Sequence, residues 1–328
     1  MRLEIRNLAC GYSKDKPVIK NVNMTLENGD TCALLGPNGV GKTTLACSAP
    51  KPLLIDFDRG ISRVRADHRV TTSMADTYEE VWSDMQSPEI AQFETIVIDT
   101  GGSFVTFLKD WAFRTKPQAK TKSGEFNSLK GFGFVKTEFQ NFTNYIKTVL
   151  NKNIIYVFHT DEKADKDGNP IQRLVCEGAA RNTVWNSCDF GGYVQMIGNQ
   201  RMICFTPEQE YFAKGTHGIT GRIPVPFLDK NIPNNFMTRL FEQARKNIEA
   251  EKEYFEPLKQ QYESTMENVK GIIADITDAG TANIAASTIG GLDHALTSKQ
   301  EALAMLKAKT DALGLKYTKK DGYVLKGE

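Results

Sequence analysis

The sequence predicts an α/β protein: a mainly parallel sheet with helices on both faces, followed by a small helical C-terminal domain. A glycine-rich segment, Gly36-Pro37-Asn38-Gly39-Val40-Gly41-Lys42-Thr43-Thr44, sits between the apolar run Cys32-Ala33-Leu34-Leu35 and a helix-compatible Thr-Leu-Ala-Cys stretch. Two further apolar runs end in carboxylates, Leu53-Leu54-Ile55-Asp56-Phe57-Asp58 and Ile96-Val97-Ile98-Asp99. Short runs without alternation fit strands covered on both faces. Past Ile223-Pro224-Val225-Pro226 and Ile232-Pro233 the pattern becomes charged and helical.

Length and composition bound the rest. With 328 residues the chain has room for one large core and an appendage, or for two modest domains. A net charge of +1 excludes a strongly basic protein, so any affinity for nucleic acid has to come from local patches. The six cysteines, Cys10, Cys32, Cys47, Cys176, Cys188 and Cys204, show no CxxC pair and no zinc spacing, which predicts buried free thiols in a reducing cytosol. No window approaches about 18 apolar residues. The expectation is a soluble, cytoplasmic protein with neither signal peptide nor membrane span.

The glycine-rich segment carries the clearest chemistry. Gly36, Gly39 and Gly41 let backbone N–H groups turn inward around phosphate oxygens, Lys42 can reach the outer phosphates, and the Thr43 hydroxyl is placed for Mg²⁺. ATP with Mg²⁺ is the expected ligand. The alternative is a glycine-rich turn with no ligand.

Residues 1 to about 45 resemble the opening of an ABC-type ATPase: Leu3-Glu4-Ile5-Arg6-Asn7-Leu8, Gly11-Tyr12, Val18-Ile19-Lys20-Asn21-Val22, Leu26-Glu27-Asn28-Gly29-Asp30 and Leu34-Leu35-Gly36-Pro37-Asn38-Gly39. The resemblance implies that Tyr12 stacks on adenine; a packing role at a strand end is the alternative. It stops after the loop. The chain has no Leu-Ser-Gly-Gly-Gln signature, Asp99 is followed by Thr100 and not by Glu, and Lys42 and Asp99 stand too close for the helical subdomain of that family.

From Lys42 onward the chain resembles the RecA-like ATPases carried by phages, a group linked to single-strand annealing and recombination, with KaiC-like and replicative-helicase cores more distant. The resemblance spans roughly residues 36 to 230. It rests on Gly41-Lys42-Thr43-Thr44-Leu45-Ala46, Pro52-Leu53-Leu54-Ile55-Asp56-Phe57-Asp58, Thr95-Ile96-Val97-Ile98-Asp99-Thr100, Ile154-Ile155-Tyr156-Val157-Phe158-His159 and Phe212-Ala213-Lys214-Gly215. It implies a RecA-like P-loop fold, a homo-oligomer, and ATP hydrolysis acting with single-stranded DNA. An ABC-type ATPase without its signature subdomain, a helicase or packaging motor, and a non-catalytic ATP-gated DNA-binding protein are the alternatives.

Several residues receive roles. Asp99, closing an apolar strand, can hold the Mg²⁺ shell opposite Thr43, or else cap the helix begun by Gly101-Gly102-Ser103. The resemblance implies that Asp58 is the general base, although relatives usually carry the longer Glu; a capping or solvated carboxylate is the alternative. By the same resemblance His159 is a polar sensor of the terminal phosphate, against a core or capping histidine. The same resemblance implies that Lys214 reaches a neighbouring subunit's nucleotide, with Arg222 its competitor and a solvated lysine the alternative.

Between Lys109 and Lys136 basic residues dominate: Lys109, Arg114, Lys116, Lys120, Lys122, Lys130 and Lys136 face only Asp110 and Glu125. Thr115 to Ser128 reads as a mobile loop, with Phe126, Phe132 and Phe134 interleaved. Such a segment suits single strands, cations following phosphates and rings such as Phe132 stacking on bases; a solvated charge run is the alternative. Lys130-Gly131-Phe132-Gly133-Phe134-Val135-Lys136 imitates an RNA-recognition octapeptide but ends on Thr137, and Glu138 to Leu150 reads as a helix. Asp161 to Pro170 reads as a second flexible, acidic segment, with Arg173 and Arg181 downstream. Domain boundaries follow: ABC-like strands over 1–30, a RecA-like core over 31–230, and helices over 234–328. In the last, Pro257 is expected to interrupt a helix near Glu256, a second helix runs to about Asp278, a third spans Thr297 to Leu313, and Asp321-Gly322 is a hairpin turn.

Overall fold

The structure, a computed structural model, describes residues 3–10, 19–26, 29–164, 166–177, 185, 188–229 and 232–326. The chain divides into two compact units, Met1–Arg245 and Lys246–Glu328. In the first, β1 (Leu3–Cys10) and β2 (Ile19–Leu26) pair antiparallel as a sheet of their own. The remaining strands are β3 (Thr31–Gly36), β4 (Pro52–Asp56), β5 (Thr71–Ser73), β6 (Thr95–Asp99), β7 (Asn153–Ala164), β8 (Pro170–Leu174), β9 (Phe190–Ile197), β10 (Gln200–Cys204) and β11 (Arg222–Pro224). They form one nine-stranded sheet ordered β11-β10-β9-β3-β7-β6-β4-β5, with β8 on β7. The six strands from β9 to β5 run parallel, and β8, β10 and β11 join antiparallel.

Five of the six parallel strands, all but β5, feed two cores, because successive side chains point to opposite faces. Ala33 and Leu35, Ile96 and Ile98, and Ile154, Tyr156 and Phe158 enter one core. Cys32 and Leu34, Val97, and Ile155 and Val157 enter the other. The first is covered by α2 (Tyr78–Gln86), α3 (Gly101–Thr115) and α4 (Ser128–Asn144), the second by α1 (Lys42–Ala46) and the first turns of α5 (Phe236–Ala274). Polar groups fasten α5 to the end of α1: Met237 N–H donates to Ser48 Oγ (2.9 Å) and Thr238 N–H to the Ser48 carbonyl (3.1 Å).

Three local expectations are corrected. The segment 115–128 is tied down: Thr121 N–H donates to the Glu125 carbonyl (2.8 Å) and Asn127 N–H to that of Ala119 (2.8 Å). Lys130 to Lys136 lies inside α4, which starts ten residues before the expected Glu138. Asn127 caps it by accepting from Lys130 N–H (3.2 Å), and Gly131 has a packing reason, since a Cβ there would stand 2.3 Å from the Phe126 ring. Likewise the 161–170 segment forms the end of the β7–β8 hairpin, Lys163 opposite Ile171 and Ala164 opposite Pro170.

In the second unit Pro257 sits inside α5 without ending it. A proline deletes one amide donor and crowds the preceding turn. Here the helix continues past it, with helix-forming Glu, Lys and Gln residues on both sides. A further helix, α6 (Ala279–Gly290), opens on a capping box between Asp278 and Thr281, and α7 spans Ser298–Ala312. β12 (Leu315–Thr318) and β13 (Gly322–Leu325) make the expected hairpin, held by Asn283, which accepts from Tyr323 N–H (2.8 Å) and donates to its carbonyl (3.1 Å).

Phe104, fully buried, is surrounded by the rings of Phe57, Tyr78, Phe139 and Phe142 at 4.8–6.0 Å. Phe104→Ala is expected to destabilise the protein by about 3–5 kcal/mol. Leu129→Ala, at a side chain 90% exposed, should change stability by less than about 0.5 kcal/mol. Urea midpoints for the two variants check this, and equal midpoints would contradict the packing.

Candidate functional site

The parallel register decides which residues meet. Gly36, ending β3, stands opposite His159 on β7; Val157 stands opposite Asp99 on β6; Asp99 stands opposite Asp56 on β4. The carboxyl ends of four strands therefore deliver a phosphate loop, a histidine and two carboxylates to one edge, where ligands of parallel α/β sheets bind. Gly39 (φ +77°) and Gly41 (φ +88°) take the left-handed conformations that the turn into α1 requires. At Gly36 the constraint is close approach, a Cβ there standing 2.3 Å from the Val194 carbonyl oxygen. Pro37, Asn38 and Gly39 are exposed, while Val40 is buried in the core beneath.

Lys42 is only 5% exposed, and its ammonium donates to the carbonyls of Gly36 (2.8 Å) and Pro37 (2.7 Å). Burial lowers its pKa to about 8, with the Asp99 carboxylate opposing the shift. Next to it, the Thr43 hydroxyl donates to Asp99 Oδ2 at 2.5 Å. Asp99 is 6% exposed, and burial raises its carboxyl to about 6; the Thr43 bond lowers it, and the nearby Asp56 and Asp58 carboxylates raise it further. Hydroxyl and carboxylate oxygens converging this closely are hard donors suited to Mg²⁺, which takes one or two protein ligands and completes its shell with phosphate and water.

The two carboxylates of 56–58 have separate duties. Asp56 accepts from Gly60 N–H (2.9 Å) and Ile61 N–H (2.8 Å), fixing the turn after β4. Asp58 accepts from Ser103 Oγ (2.5 Å) and places its other oxygen 4.0 Å from His159 Nε2. Burial, then Lys42, lowers the His159 pKa, so the ring is neutral at pH 7. Among the described residues its buried Nδ1 has no hydrogen-bond partner. Lys42, Thr43, Asp58, Asp99 and His159 line a single cleft of about 360 Å³ together with Arg63, which the sequence reading did not single out. Arg63 lies just past β4, and no local motif marks it.

Other expected residues lie elsewhere. Lys214 donates its ammonium to the Cys188 carbonyl, and its backbone pairs with Gly191, opposite Ala33 in the middle of the sheet; it is not presented outward as a finger. Arg222 is held by Glu208. Lys116 lies over Trp111 (4.8 Å) and Lys120 over Phe113 (5.0 Å), while Lys122 and Lys130 are exposed. Phe132 is half-buried, its ring edge-to-face with Phe126 at 5.4 Å, so it is no open stacking platform. Tyr12 and Arg181 lie outside the described residues.

Asp99 gives a pH signature. A raised carboxyl pKa means that the folded state holds the proton more tightly than the unfolded chain, so stability falls as pH rises from about 4 to about 6. Asp99→Asn should abolish that fall and stabilise the ligand-free protein at pH 7.5 by on the order of 1–3 kcal/mol, while weakening Mg²⁺-dependent ATP binding. Urea unfolding at pH 4.5 and 7.5 checks it; an identical pH slope in both proteins would count against the buried carboxylate.

Short stretches of this chain are similar to transport ATPases. It is 51% identical over 43 residues to the zinc import ATP-binding protein ZnuC of Wolbachia pipientis, covering 13% of this chain and 17% of that one. It is 42% identical over 43 residues to the energy-coupling factor transporter ATP-binding protein EcfA of Methanothermobacter thermautotrophicus, 13% of this chain and 14% of that one. The chain spans only 7% to 18% of the length of the curated relatives it matches in this way. Among solved structures, flagellar accessory protein FlaH from Methanocaldococcus jannaschii is similar at 9% identity with a TM-score of 0.32, over 55% of this chain and 78% of that one. Residues 28–217, more than half of the chain and including the phosphate loop, Asp58, Asp99 and His159, match the family described as AAA domain, and the protein belongs to that family of P-loop ATPases.

Proposed function

We propose that this protein binds ATP with Mg²⁺ and hydrolyses it, and that turnover is coupled to single-stranded DNA in a phage-type recombination or annealing reaction. The observation that carries the ATPase reading is the convergence of Thr43 and Asp99 at 2.5 Å in a cleft shared with Lys42, Asp58 and His159. When bound, Mg²⁺ neutralises developing phosphate charge. Asp58 is the acceptor for a proton of the attacking water, and Ser103 fixes the orientation of its carboxylate. Neutral His159 donates to an oxygen of the terminal phosphate. Lys42 and Arg63 supply the positive charge that the separating phosphates need.

For the DNA part, support comes from the resemblance to phage RecA-like ATPases and from the surface charge of 116–130. Among the described residues Lys116, Lys120, Lys122 and Lys130 form no ion pair with a carboxylate. The same resemblance supports a homo-oligomer. With Phe132 packed on Phe126, contact with a strand here is made by cations following phosphates, with little stacking.

Lys42→Ala should remove ATP binding, whereas Asp58→Asn should keep it and lower turnover by roughly 10²–10⁴-fold. Calorimetry and steady-state phosphate release separate the two, and Asp58→Asn turning over at the wild-type rate would remove Asp58 as base. Changing Lys116, Lys120 and Lys122 together to Gln should flatten the slope of log affinity against log salt by up to about two, at about 0.7 per phosphate contact on single strands. An unchanged slope, or no strand binding by the unaltered protein, would end the DNA reading.

A further inference from the structure

Arg201 is a cation at the phosphate loop that the chemistry above does not use. It lies on β10, two strands from β3 on the β9 side of the sheet, whereas His159 and Asp99 belong to β7 and β6, and Asp58 to the turn after β4, on the other side. Its guanidinium packs so closely on the loop that a Cβ added to Gly41 would stand 3.0 Å from Cζ and Nη2. The guanidinium also lies over the ring of Phe227, 5.8 Å from its centroid. Phe227 keeps 51% of its surface exposed, and among the described residues the buried Arg201 Nε has no hydrogen-bond partner. Beside Arg201 a narrow cavity is lined by Thr44, Pro226, Leu228 and Asn234, and Asn234 donates to the Thr44 carbonyl (2.9 Å).

We infer that Phe227 and Arg201 seat the purine base of the nucleotide. The reading rests on the ATPase assignment and follows from direction. A triphosphate held with its terminal phosphate beside Asp99, Asp58 and His159 has its nucleoside end on the opposite flank of the loop, where Arg201 and Phe227 stand. An exposed ring offers a π-face of the size a purine covers, and a guanidinium can both stack and donate. Lys42 and the loop amides supply affinity for phosphate, and the Phe227–Arg201 pair supplies preference for a nucleotide over phosphate alone.

Calorimetric titration of the full chain with ATP, GTP and inorganic tripolyphosphate, each with Mg²⁺, tests the seat. Phe227→Ala should weaken ATP and GTP by about tenfold or more and leave tripolyphosphate within about twofold; Phe227→Trp should restore the loss and Phe227→Leu should not. Phe227 is half exposed, and an unchanged thermal midpoint in each variant confirms that the comparison is between folded proteins. Equal losses for ATP and tripolyphosphate would overturn the seat by making the ring a support of the phosphate loop. Unchanged ATP affinity in Phe227→Ala, or a loss found only in Tyr12→Ala, would overturn it by placing the base elsewhere. Unaltered protein that binds tripolyphosphate as tightly as ATP would overturn the seat and leave the phosphate loop standing. Binding of neither ligand would overturn both readings.

Discussion

The site depends on one arrangement: the ammonium of Lys42, opening the helix that follows β3, and the carboxylate of Asp99, closing β6, each almost fully buried at the carboxyl edge of the parallel sheet. Both are costly to bury, and their pKa values record it, one pushed down and the other up. Neither is left without partners. Lys42 is satisfied by two loop carbonyls and Asp99 by the Thr43 hydroxyl, so both groups are tolerated in the folded interior. Charges held in this way need little reorganisation when a ligand arrives, the condition under which fixed charges contribute most to catalysis.

The sheet makes that arrangement possible. β7 lies between the phosphate-loop strand β3 and the acid-bearing strand β6, so His159 sits between the loop and the carboxylates. Alternation along β3, β6 and β7 sends side chains into two separate cores, which clamp the strands from both faces and leave polar groups at the strand ends. The glycines serve the same end. Gly36 admits the Val194 carbonyl, and Gly101, where a Cβ would stand 2.3 Å from the Phe158 ring, lets α3 start close against β7. Ser103, in the first turn of α3, is thereby brought to the Asp58 carboxylate.

Residues far apart in sequence take up the two flanks of the loop. Asp58, Ser103 and His159 share one side, while Arg201 and Phe227 share the other. The cations behave differently according to their neighbours: Arg222 and Lys214 are held by groups of the chain itself, whereas Arg63 opens into the cleft and Arg201 lies against the loop. This division follows from packing and sheet order, and no property of an isolated lysine or arginine reveals it.

By itself the sequence determined the phosphate loop and its place between strand and helix, the apolar strands closing on Asp56 and Asp99, the α/β class and the terminal hairpin. These are legible because each is written in consecutive residues: glycine spacing, an apolar run, a turn dipeptide. Tertiary structure alone decided what depends on distance. It moved Lys130 to Phe134 into a helix, because Gly131 admits the Phe126 ring, and it turned Lys214 toward Cys188. It also put Arg63, Ser103 and Arg201 around the loop. Such meetings are set by strand order and register, which link residues more than a hundred positions apart, and a local pattern contains neither.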